Sequence, residues 1–452
     1  MATAKRQRVQ NDLKPLPELD IFSVPKVQNS IDSSLHIECR PAAVLSQKAT
    51  IEFNYTTGNN EYLRLYDTEL YMRMRIFIEK PVTKTLEKDD WNNVSICNNF
   101  MNSLFKQVEF YIGDRLIDPQ HQTYPYKTYL EKVLGKSADV KRTSAKLGFW
   151  TENFENDPEA LLNDGILSIK SVKPHGTAEF GEGKEFELLG KIHLPMFEQR
   201  KTALLGGCKL KLRFINNDPD FFIKCNSNVR LTGVEYTHCS LHLYGIKVHE
   251  HIWRAHEYGL SEGNARYQLL ENFVIPQTIN KGTQDVSIEN LHNGVVPNRI
   301  FIAFVDHRAF NGSHLLNPYN FQHFGVNYLQ VYIDGAPVDI LPKTPDYKKG
   351  WYAREYWDLF KVTNQSHVDT CITIKKEDFP NGNNIFAFRC LPDLTSGGAR
   401  QIGFLNPLRT GSIRLHLRFD QQLREPITAL VYMDFDTQLE ITQERNIVYD
   451  FI

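Results

Sequence analysis

The chain has 452 residues, of which 41% are hydrophobic, 23% are charged and 12% are aromatic, and its formal net charge is -2. This length suffices for two or three domains, and the near-neutral charge excludes a basic polymer that coats nucleic acid. No apolar run approaches the roughly 20 residues that a membrane-spanning helix needs. The seven cysteines are an odd number without a C-x-x-C pair, which predicts a reduced, intracellular folding environment.

Residues 1–30 predict a polar, proline-containing N-terminal arm, within which residues 4–10 (AKRQRVQ) are basic. Such a short basic stretch fits a nuclear-import signal or a contact with nucleic acid. A disordered, solubilising terminus explains it equally well. No hydrophobic segment follows it, so a secretory signal peptide is not expected.

Residues 31–255 are predicted to form a first β domain. Residues 209–214 (KLKLRF) alternate apolar and basic side chains, which is typical of an antiparallel strand with one face on a core and one in water. Further strand candidates in this half lie at residues 50–55, 69–78, 185–194 and 240–248. Several short strands separated by turn residues indicate a sandwich or a jelly roll.

Residues 108–118 (VEFYIGDRLID) consist of two strand-like arms around the pair Gly113-Asp114, a composition that favours a two-residue hairpin turn. A helix is predicted next, over residues 124–135, with Gly135 as its stop. The polar stretch 134–165 is long for a connection, and loops of that length are usually functional or form contacts.

Residues 256–270 are predicted to be a linker, helical or irregular, and residues 271–452 a second β domain. Residues 329–339 (LQVYIDGAPVD) predict another hairpin, around Asp334-Gly335, with Pro337 at a sheet edge because proline donates no backbone hydrogen bond. A second helix is predicted over residues 346–360. The strand candidates of this half lie at residues 284–291, 384–390, 413–419 and 428–441.

Three motifs occur in the same order in both halves. They are RIFI at 75–78 and 299–302, the hairpins at 108–118 and 329–339, and CKLKLRF at 208–214 with IRLHLRF at 413–419. The spacing from the first motif to the second is nearly the same in the two halves, and the spacing from the second to the third is somewhat longer in the first half. Order and spacing together predict an internal duplication whose unit is a whole domain.

Five histidines lie close together near the end of the first half: His238, His242, His249, His251 and His256. Two histidines on one face of a strand occur in metal sites of some jelly-roll enzymes. No third ligand has a suitable spacing, so structural histidines are the favoured interpretation, and no metal site is assigned. A histidine cluster at a subunit interface is a further hypothesis, since it would sense pH.

No catalytic signature is present. The sequence lacks a phosphate-binding loop, a G-x-S-x-G elbow and an H-E-x-x-H motif. The acidic residues Glu87, Asp89 and Asp90 lie in a charged run that is most simply a solvated loop. We therefore expect a protein that is not an enzyme, with no catalytic residues and no cofactor.

Residues 296–338 (VPNRIFIAFVDHRAFNGSHLLNPYNFQHFGVNYLQVYIDGAPV) resemble the signature of major capsid proteins from Polinton/Maverick elements and the related adintoviruses. The segment NPYNF at residues 317–321 is the most specific part, and residues 100–118 resemble its counterpart in the first half. The resemblance covers the chain from about residue 30 to its end. It implies an all-β chain of two tandem eight-stranded antiparallel jelly rolls, as in the adenovirus hexon, with short helices in the connecting loops.

The resemblance also implies function and partners. Three chains would form a pseudo-hexameric capsomer that tiles an icosahedral shell around double-stranded DNA. Implied partners are the chain itself as a homotrimer, neighbouring capsomers, penton and minor capsid proteins, and packaged DNA, touched weakly by the basic arm; no membrane span is implied. The implied location is the virion capsid, with assembly in the host nucleus or cytoplasm.

Two alternatives to the capsid interpretation remain open at this point. One is a glycan-binding or glycan-processing protein on paired jelly rolls, which needs a cleft between the domains with converging acids or metal ligands. The other is a non-functional host-genome copy of a capsid gene. The aromatic segment 350–360 (GWYAREYWDLF) is a candidate contact between chains, and packing on its own sandwich explains it as well.

Overall fold

The computed structural model describes residues 27–79, 94–118, 122–150, 166–168, 184–200, 202–225, 230–366, 371–392, 395–396, 399–400 and 406–448. The basic stretch 4–10 and the acidic residues Glu87, Asp89 and Asp90 lie outside the described residues, and so does most of the N-terminal arm. The polar connection 134–165 is described as far as residue 150.

The described strands of the first half are β1 (Ile31–Cys39), β2 (Ile51–Thr56), β3 (Glu61–Leu63), β4 (Glu69–Glu79), β5 (Val94–Cys97), β6 (Phe105–Ile112), β7 (Arg115–Leu116), β8 (Ile166–Ser168), β9 (Lys184–Lys191), β10 (Lys209–Asn216), β11 (Ile223–Cys225) and β12 (Arg230–Val248). The helices of this half are α1 (Phe100–Ser103), α2 (Tyr124–Gly135), α3 (Ala138–Arg142), α4 (Pro219–Phe222) and α5 (Glu250–Glu262). None of the helices in the described part of the chain has the length and hydrophobicity that a membrane crossing requires.

Two four-strand ladders face each other in the first half. One has the order β1-β12-β4-β9 and the other the order β2-β10-β6-β7, and all neighbours are antiparallel. Numbered one to eight along the chain, these strands follow the orders 1-8-3-6 and 2-7-4-5. This interleaving of two sheets is the topology of a jelly roll.

The second half repeats this order. Its strands are β13 (Ala265–Ile279), β14 (Asp285–Val295), β15 (Arg299–Asp306), β16 (Phe321–Gln322), β17 (Val326–Ile333), β18 (Ala336–Pro337), β19 (Asn381–Gly382), β20 (Ile385–Arg389), β21 (Thr395–Ser396), β22 (Ala399–Arg400), β23 (Thr410–Phe419), β24 (Ile427–Ile441) and β25 (Ile447–Val448). The sheets β13-β24-β15-β20 and β14-β23-β17-β18 again follow 1-8-3-6 and 2-7-4-5. The prediction of an all-β double jelly roll is confirmed.

The alternation in the sequence accounts for the two-faced strands. In β10, Leu210, Leu212 and Phe214 are buried, whereas Lys209 and Lys211 lie on the outer face. Because successive side chains of a strand point to opposite faces, only one set can join the core. The apolar set fills the space between the sheets, and the basic set keeps the outer face in water.

Both predicted hairpins are present, with different turns. The β6–β7 turn has a positive φ only at Gly113, as in a type II′ turn, whereas the β17–β18 turn has positive φ at both Asp334 and Gly335, as in type I′. The order of glycine and aspartate in each turn therefore selects the turn type. Pro337 lies in β18 at the free edge of its sheet, as predicted.

The three repeated motifs lie in equivalent strands, but the third is out of register. Ile112 of the first hairpin pairs with Leu210, and the equivalent Ile333 pairs with Ile413. Leu210 is therefore equivalent to Ile413 and not to Leu415, which the sequence similarity matched with it. An offset of two residues preserves the inward face of a strand, so hydrophobic patterning does not reveal it.

The helix predicted over residues 346–360 is wrong in its first half. The helix α7 (Ala353–Val362) begins only at Ala353, because Asp346 forms a bridge with Trp351 and Gly350 has a φ of +71°. A residue with that φ cannot continue a right-handed helix. The other helix of this half, α6, spans His307–Asn311, whereas α2 coincides with the helix predicted over residues 124–135.

The helix α5 lies along the chain between the last strand of the first jelly roll and the first strand of the second. The helix begins at Glu250, shortly after β12 ends at Val248, and β13 begins at Ala265. The predicted linker 256–270 therefore contains the end of α5 and the beginning of β13. We propose that the boundary between the two domains along the chain lies in and just after α5, with residues 31–255 and 271–452 as the approximate extents of the domains.

A glycine before β10 makes a close backbone contact that a side chain would break. A Cβ on Gly206 would lie 2.1 Å from the backbone oxygen of Asn59. Gly206→Ala is expected to lower the free energy of unfolding by about 1–3 kcal/mol, the usual cost of overpacking. Gly259→Ala in α5 is the control, because no atom lies within 4 Å of the added Cβ. Urea unfolding of both variants checks the prediction, which fails if the two variants behave alike.

Candidate functional site

The five clustered histidines separate into three places. His238 and His242 on β12 both contact the Tyr71 ring, with centroids 5.5 and 6.0 Å away. The His256 Nδ1 atom lies 2.8 Å from the Tyr62 hydroxyl oxygen. Only one pair brings its rings together, that of His249 and His251, with centroids 4.4 Å apart. Among the described residues these histidines form no three-ligand group, and the pH-sensing role stays a hypothesis.

The motif NPYNF at residues 317–321 contributes a buried tyrosine to the junction between the jelly rolls. Tyr319 from the second jelly roll is 2% exposed and inserts among aromatic rings of the first. Its ring stacks on Tyr129 of α2 with centroids 4.2 Å apart and an interplanar angle of 7°, and meets the edges of Tyr126 and Phe221. The Tyr319 hydroxyl lies 2.6 Å from the hydroxyl of Ser103. We call this inserted side chain the tyrosine plug.

One hydrophobic cluster runs through the plug and includes buried residues of both halves, such as Leu188, Phe222, Leu269 and Tyr432. A second cluster lies entirely within the second jelly roll. A core shared between domains resists separation, because pulling the domains apart would expose apolar surface to water. The two jelly rolls therefore form one folded unit.

Hydrogen bonds across the junction reinforce this shared core. The Thr123 hydroxyl donates to the Val274 carbonyl at 3.0 Å, and the Gln199 amide donates to the Gln268 carbonyl at 2.7 Å. In the opposite direction, the Gln365 amide donates to the Leu134 carbonyl at 2.7 Å. Donors from both domains thus fix the relative orientation of the jelly rolls as well as their contact.

Glu131, His193 and Glu198 gather beside the junction. The His193 Nδ1 atom lies 3.0 Å from Glu131 Oε2 and 3.6 Å from Glu198 Oε1. Burial lowers the pKa of His193 well below its ordinary value and raises that of Glu131. Burial also lowers the pKa of the neighbouring Lys132 to about 7. Burial thus favours the neutral form of this imidazole.

A cavity of about 360 Å³ lies between the domains, and two of these three residues, Glu131 and Glu198, line it. Glu131 and Glu198 contribute to its first-domain wall. Asn272, Arg299 and Asp436 contribute to the opposite wall. The cavity thus has acidic, basic and amide groups, a mixture able to hold a small polar ligand or ordered water.

Apolar side chains are exposed where the predicted contact segment precedes and enters α7. Trp351 is 67% exposed and Trp357 49% exposed, whereas Leu359 and Phe360 of the same segment pack inward. Beside α7, Ile340 is 97% exposed. The Arg354 guanidinium donates to the carbonyl oxygens of residues 341 and 342 and so holds that loop against the helix. We call the group Ile340, Leu341, Trp351 and Trp357 the tryptophan patch.

Comparison with solved structures places this architecture among viral capsid proteins. A chain of the Sputnik virophage superposes with a TM-score of 0.64 and 10% identity, over 97% of this chain and 92% of that one. The mavirus major capsid protein superposes with a TM-score of 0.54 and 10% identity, over 97% of this chain and 93% of that one. For the Faustovirus major capsid protein the TM-score is 0.58 and the identity 9%, over 94% of this chain and 93% of that one. The fold is that of viral major capsid proteins.

Sequence comparison adds one relative of this double jelly roll. A Caenorhabditis elegans protein described as uncharacterized protein F54H12.2 is 22% identical over 427 residues, which cover 88% of this chain and 93% of that protein. No protein-family model matches the sequence. At identities of 8–10% the structural likeness to Sputnik, mavirus and related capsid proteins establishes the fold and leaves function to be argued from the molecule.

Sequence reasoning did not find the residues that the double jelly roll brings together at its junction. Glu131, His193 and Glu198 come from α2, from the segment just after β9 and from a following 3-10 turn, and no local motif joins them. Tyr319 lies in the motif that the resemblance emphasised, but its partner Tyr129 belongs to the other half of the sequence. Such pairs depend on how the two domains dock, which periodicity does not record.

Proposed function

We propose that this chain is the major subunit of a viral capsid and that it acts by self-association. The observation that carries the proposal is the pair of jelly rolls with the same strand order, joined through a common core and the tyrosine plug. Three such chains present six similar blocks, which is how a trimer occupies a position of sixfold symmetry. The likeness to viral major capsid proteins over nearly the whole chain supports the same role.

The finer assignment is a capsid protein of the Polinton/Maverick and adintovirus lineage. Its support is the segment 317–321 and its context, together with the similarity to a protein from an animal. In this proposal the trimers tile an icosahedral shell around double-stranded DNA and meet penton and minor capsid proteins. The basic residues 4–10 contact the packaged DNA weakly, since few charges contribute little affinity. The chain is thus located in the virion capsid after assembly in the host nucleus or cytoplasm.

The tryptophan patch is the surface that we assign to contacts between chains. Tryptophan is enriched at the energetic centres of protein interfaces, and an obligate interface buries more than about 2,000 Å². Around the patch, Lys349 lies over the Trp351 ring at 4.8 Å, so that a polar rim borders the apolar surface. An apolar centre with a polar rim is the ordinary composition of a subunit interface.

Replacing the two tryptophans is expected to weaken trimers. Trp351→Ala/Trp357→Ala removes two large exposed side chains and replaces none of the buried residues of α7, so the fold should be retained. Loss of central interface aromatics typically costs about 2 kcal/mol or more, roughly a thirtyfold change in affinity. Analytical ultracentrifugation measures the dissociation. Tyr258→Ala, which removes another exposed ring, is the control, and equal effects of the two changes would contradict the assignment.

Electron microscopy of the expressed full-length chain tests the proposed function. Capsomers of hexagonal outline, or closed shells, are the expected result. Monomeric particles, each with one pair of jelly rolls and no rotational symmetry, at every concentration examined would refute it. The same images test whether the chain is a non-functional genomic copy. Such a copy is under no constraint to keep a surface for assembly, so regular capsomers would argue against it.

A glycan-binding or glycan-processing protein remains the second candidate, since the cavity at the junction contains Glu131, Glu198 and Asp436. These acids already have protein partners: Glu131 contacts His193, Lys136 lies 3.5 Å from Glu198, and Asn298 donates to Asp436 at 2.8 Å. Paired acids are less available for sugar chemistry than free ones. A monomeric chain that binds oligosaccharides would favour this alternative over the capsid role.

A further inference from the structure

The group Glu131, His193 and Glu198 lies outside the capsid argument and has the composition of a metal site. We propose that these three residues bind one divalent transition-metal ion, for which Zn²⁺ is the natural probe, at the junction between the jelly rolls. Imidazole and carboxylate ligands together suit zinc, and a site with three protein ligands keeps a fourth position for water. The proposal is independent of whether the chain assembles into capsomers.

The distances fit a tetrahedral ion. With metal–ligand bonds of about 2.0–2.2 Å, two ligand atoms of a tetrahedral site lie roughly 3.3–3.6 Å apart. The separations of 3.0 and 3.6 Å from His193 Nδ1 to the two carboxylates bracket this range, and all three ligand atoms lie within 4.8 Å of one another. The two carboxylates, which lie within 4.8 Å of each other, close around one ion once their oxygens approach the tetrahedral separation.

A buried amide from the second jelly roll lies beside one of the proposed ligands. Asn272 on β13 is 8% exposed and lies on the cavity wall beside Glu131. Among the described residues nothing donates a hydrogen bond to its Oδ1 atom. Leaving such an acceptor unsatisfied costs free energy. The amide N–H of the same side chain hydrogen-bonds Glu131, so Asn272 holds one of the proposed ligands in place from the cavity wall.

Three nearby lysines oppose a cation at this site, and two of them are held by partners other than the proposed ligands. Of the nearby lysines, Lys127 is engaged by Asp118 at 3.2 Å and Lys132 donates to Asn99 at 2.7 Å. Lys136 lies 3.5 Å from Glu198 Oε2 and is 27% exposed at its side chain, so it is able to turn towards solvent. Two carboxylates then balance one divalent ion, and the cavity provides its route from solvent.

Zinc titration of the full-length, tag-free chain tests the proposal. The exposed pair His249 and His251 would also bind zinc weakly, so His249→Ala/His251→Ala serves as the background for every measurement. After treatment with a chelator and gel filtration, the background protein is titrated with Zn²⁺ in competition with a chromogenic chelator, and its melting temperature is recorded. Variants in this background are Glu198→Gln, Glu131→Gln and, as the matched control, Glu262→Gln on α5.

The expected result is one Zn²⁺ per chain and a melting temperature that rises with Zn²⁺. Glu198→Gln and Glu131→Gln should each weaken binding at least tenfold, since changes even in outer-shell partners have such effects, and Glu262→Gln should have none. Should Glu131→Gln unfold, Glu198→Gln carries the test, because its side chain is 37% exposed. Absence of stoichiometric binding, or binding unchanged by Glu198→Gln, would overturn the proposal and leave His193 as a hydrogen-bond donor to Glu131.

Discussion

Tyr319→Ala is expected to lower the free energy of unfolding by about 3–5 kcal/mol, the usual range for deleting a buried aromatic ring. The change removes the tyrosine plug from its stack on Tyr129 and leaves a cavity between the domains. Because the plug comes from one jelly roll and its pocket from the other, the loss weakens the junction more than either core. We therefore also expect the single unfolding transition to separate into two, one for each jelly roll.

Tyr319→Phe is the matched control, since it keeps the ring and removes only the hydroxyl that lies 2.6 Å from Ser103. Its expected cost is about 1 kcal/mol, the net value of one hydrogen bond. Urea unfolding followed by fluorescence and by circular dichroism measures both variants. A Tyr319→Ala variant as stable as Tyr319→Phe would contradict the role of the ring in joining the domains.

Lys127→Met is expected to lower the free energy of unfolding by about 3–5 kcal/mol, because it removes one charge of a buried ion pair. Lys127 Nζ lies 3.2 Å from Asp118 Oδ2, and the two side chains are 2% and 3% exposed. Taking both charges out of water is expensive, and their attraction offsets much of that cost only while both are present. Removing the lysine alone therefore leaves Asp118 with its desolvation penalty and without the attraction of Lys127.

The double variant Lys127→Met/Asp118→Leu separates this mechanism from a simple packing defect. We expect it to recover most of the lost stability, since replacing a whole buried ion pair by apolar residues is often neutral. The exposed pair Arg254–Glu250, with side chains 71% and 65% exposed, is the surface control, and Arg254→Met should change stability little. Thermal melts compare the variants. If the double variant is less stable than Lys127→Met, the loss of charge pairing is not the cause of the destabilisation.

The junction matters for the proposed function because a pseudo-sixfold capsomer needs its six blocks at fixed angles. Flexible domains would lose orientational entropy each time a trimer joins a lattice. The tyrosine plug and the hydrogen bonds from Thr123, Gln199 and Gln365 meet this requirement before assembly begins. A fixed domain orientation and an exposed tryptophan patch are the two features on which the proposed self-association depends.

Local features of the fold could be predicted from the sequence. The turn pairs Gly113-Asp114 and Asp334-Gly335 identified both hairpins, and alternation in residues 209–214 identified a two-faced strand. Turn pairs and alternating apolar residues lie within a few positions of one another in the sequence. Hairpins and two-faced strands can therefore be recognised without knowledge of their tertiary contacts. The duplication followed from their order, and the strand orders of the two sheets confirm it.

Other features had no local signature. β1 is exposed along most of its length, so no apolar alternation indicated it, and its place in the sheet depends on pairing with β12. β13 begins inside the predicted linker because its pairing with β24 starts at Ala265. The register of β23, the tyrosine plug and the group around His193 likewise depend on partners far away in the chain. Long-range pairing and domain docking decided each of these outcomes.

The mass of the full-length chain in solution tests the central claim most directly. Each chain has a mass of 52.4 kDa, so a trimer has three times that mass, about 157 kDa. Multi-angle light scattering across a tenfold range of concentration should give the trimer mass throughout, because an obligate interface of the proposed size does not dissociate at micromolar concentrations. A constant mass of one chain over the same range would contradict the claim that three double jelly rolls form the working unit.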